Sequence, residues 1–255
     1  MSAVILALAA GAVIGLALGA LGGGGSVLAV PALIYLLDFT PVGATTASLV
    51  IVTITSVTAL AAHARDGHVR WRTGLLFAAS GIVPAMVGGA LAARIPATVL
   101  TAAFAVVAGA AAARMLRPRR RADTPAPVRP GKAVAAGAGL GAVTGVLGVG
   151  GGFLAVPALV SVLGLRMRDA VGTSLLVITV NSLAALSTRA GTVERLDWAV
   201  VGPFVGAAVL GAWDGKRLAA KVSGPALQRL FAVVLLAVAA FMLADAVWGG
   251  GGGGG

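Results

Sequence analysis

One stretch of this sequence occurs twice. Leu21-Gly-Gly-Gly-Gly-Ser-Val-Leu-Ala-Val-Pro-Ala-Leu33 lies on Leu147-Gly-Val-Gly-Gly-Gly-Phe-Leu-Ala-Val-Pro-Ala-Leu159 at an offset of 126 residues. The match continues through Ser48-Leu49 on Ser174-Leu175 and Ser56 on Ser182. It then slips by one residue to set Leu91–Arg94 on Leu218–Lys221 and Phe104–Val107 on Phe231–Val234. A correspondence of this length makes the chain two copies of one unit.

The kind of unit follows from how little of it water could face. Of 255 residues, 59% are apolar and 11% charged, and the mean hydropathy is +1.02. A soluble domain needs roughly 25% charged residues to cover its surface. An ordinary water-soluble fold is therefore excluded, and the chain is expected to be an all-α polytopic membrane protein. The N-terminus, Met1-Ser2-Ala3-Val4-Ile5, lacks the basic region of a signal peptide and reads as the start of a first membrane helix. There is no cysteine, so disulfides, thiolate metal sites and thiol catalysis are absent, and His63 and His68 are the only imidazoles.

Arg117 to Lys132 carries four prolines and a cluster of charge, which no membrane span accommodates. This segment, 117–132, divides a first membrane repeat, 1–116, from a second, 133–248. The seven glycines of 249–255 form a flexible tail. Each copy reads as a long apolar stretch (3–21; 133–147), a Gly-rich turn with a short run (27–37; 153–165) and three more runs (43–62, 73–93 and 98–116; 170–188, 199–213 and 226–247). Helices as short as the Gly-led runs reach only about 17–20 Å, so they either re-enter or need an extended segment to finish a crossing. The expectation is about five membrane segments per copy, eight to ten in all, with broken or re-entrant Gly-rich helices.

The net charge of +11 is assigned to topology and not to nucleic acid, because no basic face interleaved with aromatics exists. With the linker cytoplasmic and the copies inverted, 16 of the 19 Lys and Arg fall inside, leaving only Arg94, Arg189 and Arg195 outside. Parallel copies give 12 against 7, so the positive-inside rule favours the inverted arrangement.

The candidate chemistry sits in the two glycine turns. Glycine removes Cβ, permits positive φ and lets backbone amides point at a bound group, and a helix N-terminus presents unpaired N–H groups to an anion. In inverted copies two such N-termini converge near the midplane, the layout of secondary transporters with broken helices. The candidate residues are Gly22, Gly24, Gly25, Ser26 and Pro31 in the first copy, with Gly148, Gly150, Gly151, Gly152 and Pro157 in the second. Ser48 and Thr55, matched by Ser174 and Asn181, add neutral donors that bind an oxyanion without burying a permanent charge. The competing explanations are close packing for glycines such as Gly11, Gly15 and Gly19, and self-bonding to the preceding turn for the hydroxyls.

Other chemistries find little support. Gly22-x-Gly24 and Gly148-x-Gly150 lack the third glycine of a dinucleotide fingerprint, having Val27 and Phe153 there, and no phosphate-loop motif for ATP is present. Arg65, Arg70, Arg72, Arg189 and Arg195 read as loop charges that fix topology, and His63 as an interfacial imidazole. Asp214 and Asp245 are placed at helix ends, Asp214 within reach of Lys216 or Arg217. No carboxylate reads as mid-membrane, and no cofactor, metal or catalytic residue is expected.

The paired Gly-rich turns, each running into Leu-Ala-Val-Pro-Ala-Leu, then a Ser/Thr-rich helix and a charged loop ending near Trp71 or Trp198, resemble the sulfite exporter TauE/SafE family of membrane permeases. The resemblance covers nearly all of residues 3–248. It implies transport of small sulfur-containing anions, such as sulfite or organosulfonates, across the bacterial inner membrane, mostly outward. The first turn departs from the second in having Gly23 for Val149 and Ser26 for Gly152. Beside the anion and the lipid bilayer, a homodimer partner stays open, and the alternatives are a non-transporting accessory subunit or a permease for a different small anion.

Overall fold

In a computed structural model of the chain, residues 2–92, 95–116, 129–147, 152–187 and 196–248 are described. Among them there are ten α-helices and no strand. Backbone polar groups cannot be left open to lipid, so an apolar chain of this kind satisfies them within helices. In order these are α1 (Ser2–Leu21), α2 (Gly24–Leu37), α3 (Pro41–Arg65), α4 (Trp71–Ala92), α5 (Ala97–Leu116), α6 (Pro130–Leu147), α7 (Gly152–Ser161), α8 (Met167–Ser187), α9 (Trp198–Lys221) and α10 (Gly224–Trp248).

Six helices contain a stretch long and apolar enough to cross a membrane: Val4–Leu21, Gly43–Arg65, Trp71–Ala92, Met167–Ser187, Trp198–Lys221 and Gly224–Phe241. Large apolar side chains such as Ile5, Val13, Val83, Met86 and Leu210 face outward from them. Water would penalise that surface and lipid does not.

Local chemistry sets the helix ends. Thr40 caps α3 by accepting from the Gly43 amide at 3.2 Å, with Pro41 in the first turn, and Asp197 caps α9 through the Ala199 amide at 3.0 Å. Pro130 opens α6, so residues 130–132, expected in the linker, form its first turn; 117–128 lie outside the described residues.

Glycine faces set the packing. Cβ atoms at Gly11, Gly15 and Gly19 of α1 would run into Phe204, Ala208 and Ala212 of α9. Gly137, Gly141 and Gly145 of α6 meet Phe77, Gly81 and Ala85 of α4 in the same way. In both pairs the residue numbers rise together, so α1 runs parallel to α9 and α6 parallel to α4. α3 and α8 run antiparallel, since the Thr179 hydroxyl donates to Ser56 at 3.0 Å while Gly172 lies beside His63. One apolar core gathers Phe104, Phe153 and Phe231, and another Leu18, Leu33, Ile51, Leu175 and Phe204.

These contacts bring one set of helix ends together. Gln228 at the start of α10 donates to the Met115 carbonyl at the end of α5, and Arg168 of α8 donates to the Ala220 carbonyl of α9 at 3.0 Å. Lys216 of α9 donates to the Ala62 carbonyl of α3 at 2.6 Å. Every described Lys and Arg lies within about two helical turns of this end.

Candidate functional site

The first glycine turn is a hinge between two helices. The Gly22 amide donates to the Leu18 carbonyl at 2.8 Å, closing α1, and Gly22 then takes φ +68°, which an L side chain adopts at a cost of about 1–2 kcal/mol. α2 begins at once, with Gly23 as its N-cap and no side-chain cap. Gly24, Gly25 and Ser26 therefore form the first turn of the helix, where a separate turn ahead of it was expected. That is where amides have no carbonyl within the helix to donate to. Pro31 lies inside α2 and Pro157 inside α7, so neither ends its helix.

The second turn falls mostly on Gly148, Gly150 and Gly151, which lie outside the described residues. Gly152 opens α7 and is buried. The two helix starts abut: a Cβ on Gly23 would collide with the Gly152 carbonyl and come within 2.9 Å of Phe153 Cα. On its other side Gly22 is pressed against Ser174, with the Val171 carbonyl 3.2 Å from where a Cβ would stand. At Gly22 and Gly23 a residue larger than glycine would have to displace α7 or α8.

The polar side chains of α3 and α8 divide into two kinds. Ser48 donates to the Thr45 carbonyl at 2.9 Å and Ser174 to the Val171 carbonyl at 2.8 Å, while Thr53 and Ser56 also bond within α3. Their hydroxyl hydrogens are used by their own helices. By contrast Thr55 Oγ1 and Asn181 Oδ1 are buried with no hydrogen-bond partner. Both lie within about one turn of the Ser56–Thr179 contact, whereas Ser48 and Ser174 lie on opposite sides of it, about 20 Å apart along the bundle. The structure thus keeps Thr55 and Asn181 at one level and separates the two serines.

At the basic end, residues that sequence reasoning passed over form a second polar group. Asp169, 2% exposed, is held by Arg70 at 3.1 Å, by Arg166 at 3.4 Å and by His68 at 3.4 Å, and the Arg70 amide donates to Thr173 at 3.0 Å. Arg70 thus ties the α3–α4 loop to α8 and is more than a loop charge. The only sequence signal for Asp169 was its place in a helix first turn, three residues after Arg166. Lys216 pairs with Asp66 at 2.8 Å, and Asp214 with Arg217 at 3.6 Å. The hydrogen bond from Lys216 holds the Asp66 carboxyl below the usual carboxylate range. His63 is buried, its Nε2 3.2 Å from the Gly19 carbonyl and its Nδ1 without a partner. Among the described residues no cluster could hold a metal ion.

A bundle of apolar helices, six of them long and apolar enough to cross a bilayer, defines a multi-pass membrane protein. The sequence profile of the family described as sulfite exporter TauE/SafE matches residues 7–242, and the chain belongs to that family. A relative from Xylella fastidiosa (strain 9a5c) is 33% identical over 251 residues, 95% of this chain and 96% of its own length. Another, from Xylella fastidiosa (strain Temecula1 / ATCC 700964), is 32% identical over 252 residues, with the same shares covered. Each bears the name "Probable membrane transporter protein". No solved structure matches the chain significantly. Family and relatives together make it a membrane transporter in a lipid bilayer.

Proposed function

We propose that the protein is a secondary transporter, working as an exporter, of small sulfur-containing anions such as sulfite or organosulfonates. The anion is held where the N-termini of α2 and α7 meet. The observation that carries this reading is the contact of Gly23 with Gly152, which sets two positive helix ends against each other deep in an apolar bundle. Amides of Gly24, Gly25, Ser26 and Gly152 supply donors, and Thr55 and Asn181 supply polar atoms that no protein group satisfies. A flip of the Asn181 amide presents its NH2 in place of Oδ1. Neutral donors suit this depth, because a fixed positive charge in lipid is costly. Gly148, Gly150 and Gly151 are assigned to the second half, and Pro31, Pro157 and Ser174 to the walls, whereas Ser48, about 20 Å from Ser174 along the bundle, stands apart from this site.

The inverted duplication belongs to the same reading. Equivalent helices pair with each other (α2 with α7, α3 with α8, α5 with α10), and the first helix of each copy packs on the fourth of the other (α1 on α9, α6 on α4). The antiparallel course of α3 and α8 is what inversion requires. α1 and α2, like α6 and α7, act as re-entrant hairpins. The basic end faces the cytoplasm, in line with the positive-inside rule, and the membrane is the bacterial inner membrane. The chain hydrolyses no ATP itself, and a homodimer remains compatible with its exposed apolar faces.

The reading is tested with purified protein in liposomes: flux of sulfite, sulfate and a small sulfonate, with and without a pH gradient. Selective flux of a sulfur oxyanion is expected, together with a higher melting temperature in the presence of the transported anion. Folded protein that carries none of them and is stabilised by none would point to an accessory subunit.

A further inference from the structure

The basic end holds a small cleft, open to solvent, whose polar wall is His63, His68, Asp66, Lys216 and Arg168. It reaches Ala20, two residues before the Gly22 hinge, and Val171, whose carbonyl packs against Gly22. The cleft and the glycine junction thus share a wall.

Within the cleft one buried polar atom lacks a partner. His63 is 6% exposed and its Nε2 is bonded to the Gly19 carbonyl, a carbonyl that only accepts. The proton therefore sits on Nε2, and Nδ1 carries a second proton only when the ring is cationic. Around it lie the Lys216 ammonium from α9, already bonded to Asp66 and to the Ala62 carbonyl, and Asp66 and His68 from the loop after α3. Arg168 from α8 lies at the rim, and Asp169 of the same helix is occupied by Arg70, Arg166 and His68. Both acids are paired, so the unmatched charge of the wall is positive, and a protonated His63 adds a donor that no protein group accepts. We propose that this cleft is a second binding site for a small soluble oxyanion, an antechamber on the cytoplasmic side of the glycine junction, in which His63 in its doubly protonated form donates Nδ1–H to the anion beside Lys216. As an antechamber it rests on the transport reading; as a binding site it stands alone.

Because the chain has only two histidines, His68→Gln leaves His63 as the single imidazole reporter. The full-length His68→Gln protein, in nanodiscs of phosphatidylcholine alone, is titrated with sulfate while the imidazole resonances are followed by NMR. Sulfate is expected to shift the His63 resonances, to bind several-fold more tightly at about pH 5.5 than at about pH 8, and to lose most of its effect in a protein that also carries Lys216→Gln. Unmoved His63 resonances in folded protein overturn the proposal. So does a shift that phosphatidylglycerol induces and sulfate does not, which would make the cleft a lipid headgroup site. Flux in liposomes separates this from the main reading. A His63 shift with no flux of any anion keeps the cleft and sinks the transporter, and flux with no shift does the reverse.

Discussion

The middle of this bundle and its basic end are both polar places in an apolar chain, and they are built by opposite means. In the middle, glycine backbones touch, Ser174 and Thr53 bond to their own helices, and among the described residues there only Thr55 and Asn181 hold unsatisfied side-chain atoms. At the end, a buried carboxylate is ringed by two guanidiniums and an imidazole, and Lys216 bridges α9 to α3. The difference follows from depth: ions at the rim keep some water, with Arg70 and Arg166 side chains 47% and 67% exposed, whereas ions in hydrocarbon do not. The middle should therefore be sensitive to size and indifferent to salt, and the end sensitive to charge.

Four substitutions sharpen or break that contrast. Gly15→Leu should have the largest effect, since its Cβ would enter the Ala208 backbone of α9. We expect loss of monodisperse folded protein by size-exclusion chromatography, while Gly109→Leu and Gly206→Leu, with open space, behave as wild type. Gly22→Ala comes next, combining a left-handed backbone with overpacking against Ser174, each of order 1–3 kcal/mol. Ser174→Ala should recover part of that loss in a double-mutant cycle, and full additivity would show that the two do not touch.

Asp169→Asn should cost about 1–3 kcal/mol in thermal unfolding, because Arg70, Arg166 and His68 keep only a neutral acceptor. Gly22→Ala should show no salt dependence, and the wild-type advantage over Asp169→Asn should shrink in high salt. The smallest effect belongs to Asp66→Asn. Asp66 is half exposed, so its pair with Lys216 is worth a few tenths of a kcal/mol. Its carboxyl is depressed in the folded protein, so this contribution is present above the ordinary value of 3.8 and lost as the pH falls below it. Melting curves of wild type and variant should converge there.

Much of the fold was legible because lipid makes apolar run length and helix nearly the same thing. The runs expected at 43–62 and 170–188 appear as Pro41–Arg65 and Met167–Ser187, and Gly11, Gly15 and Gly19 do the packing that small residues in membrane helices suggest. Helix starts were less legible. Gly24 to Ser26 read as turn because glycine disfavours helix interiors, but in a first turn that penalty is small, and the hinge asks for glycine at Gly22, for its positive φ, and at Gly23, for its contact with Gly152. Least legible was the basic end. Nothing in sequence spacing announces that Arg70 and Asp169, 99 residues apart, will pair, or that Lys216 will reach Asp66 and leave Asp214 to Arg217. Such pairings depend on how the helices dock, which a residue count does not specify.

The most direct test of the central claim, that paired glycine backbones at the meeting of α2 and α7 carry the anion, is sulfite flux in proteoliposomes of wild type, Gly24→Val and Gly150→Val, each checked for membrane insertion. The account predicts that both variants insert and that both lose flux. Wild-type flux from either one would contradict it and would place the anion's path elsewhere in the bundle.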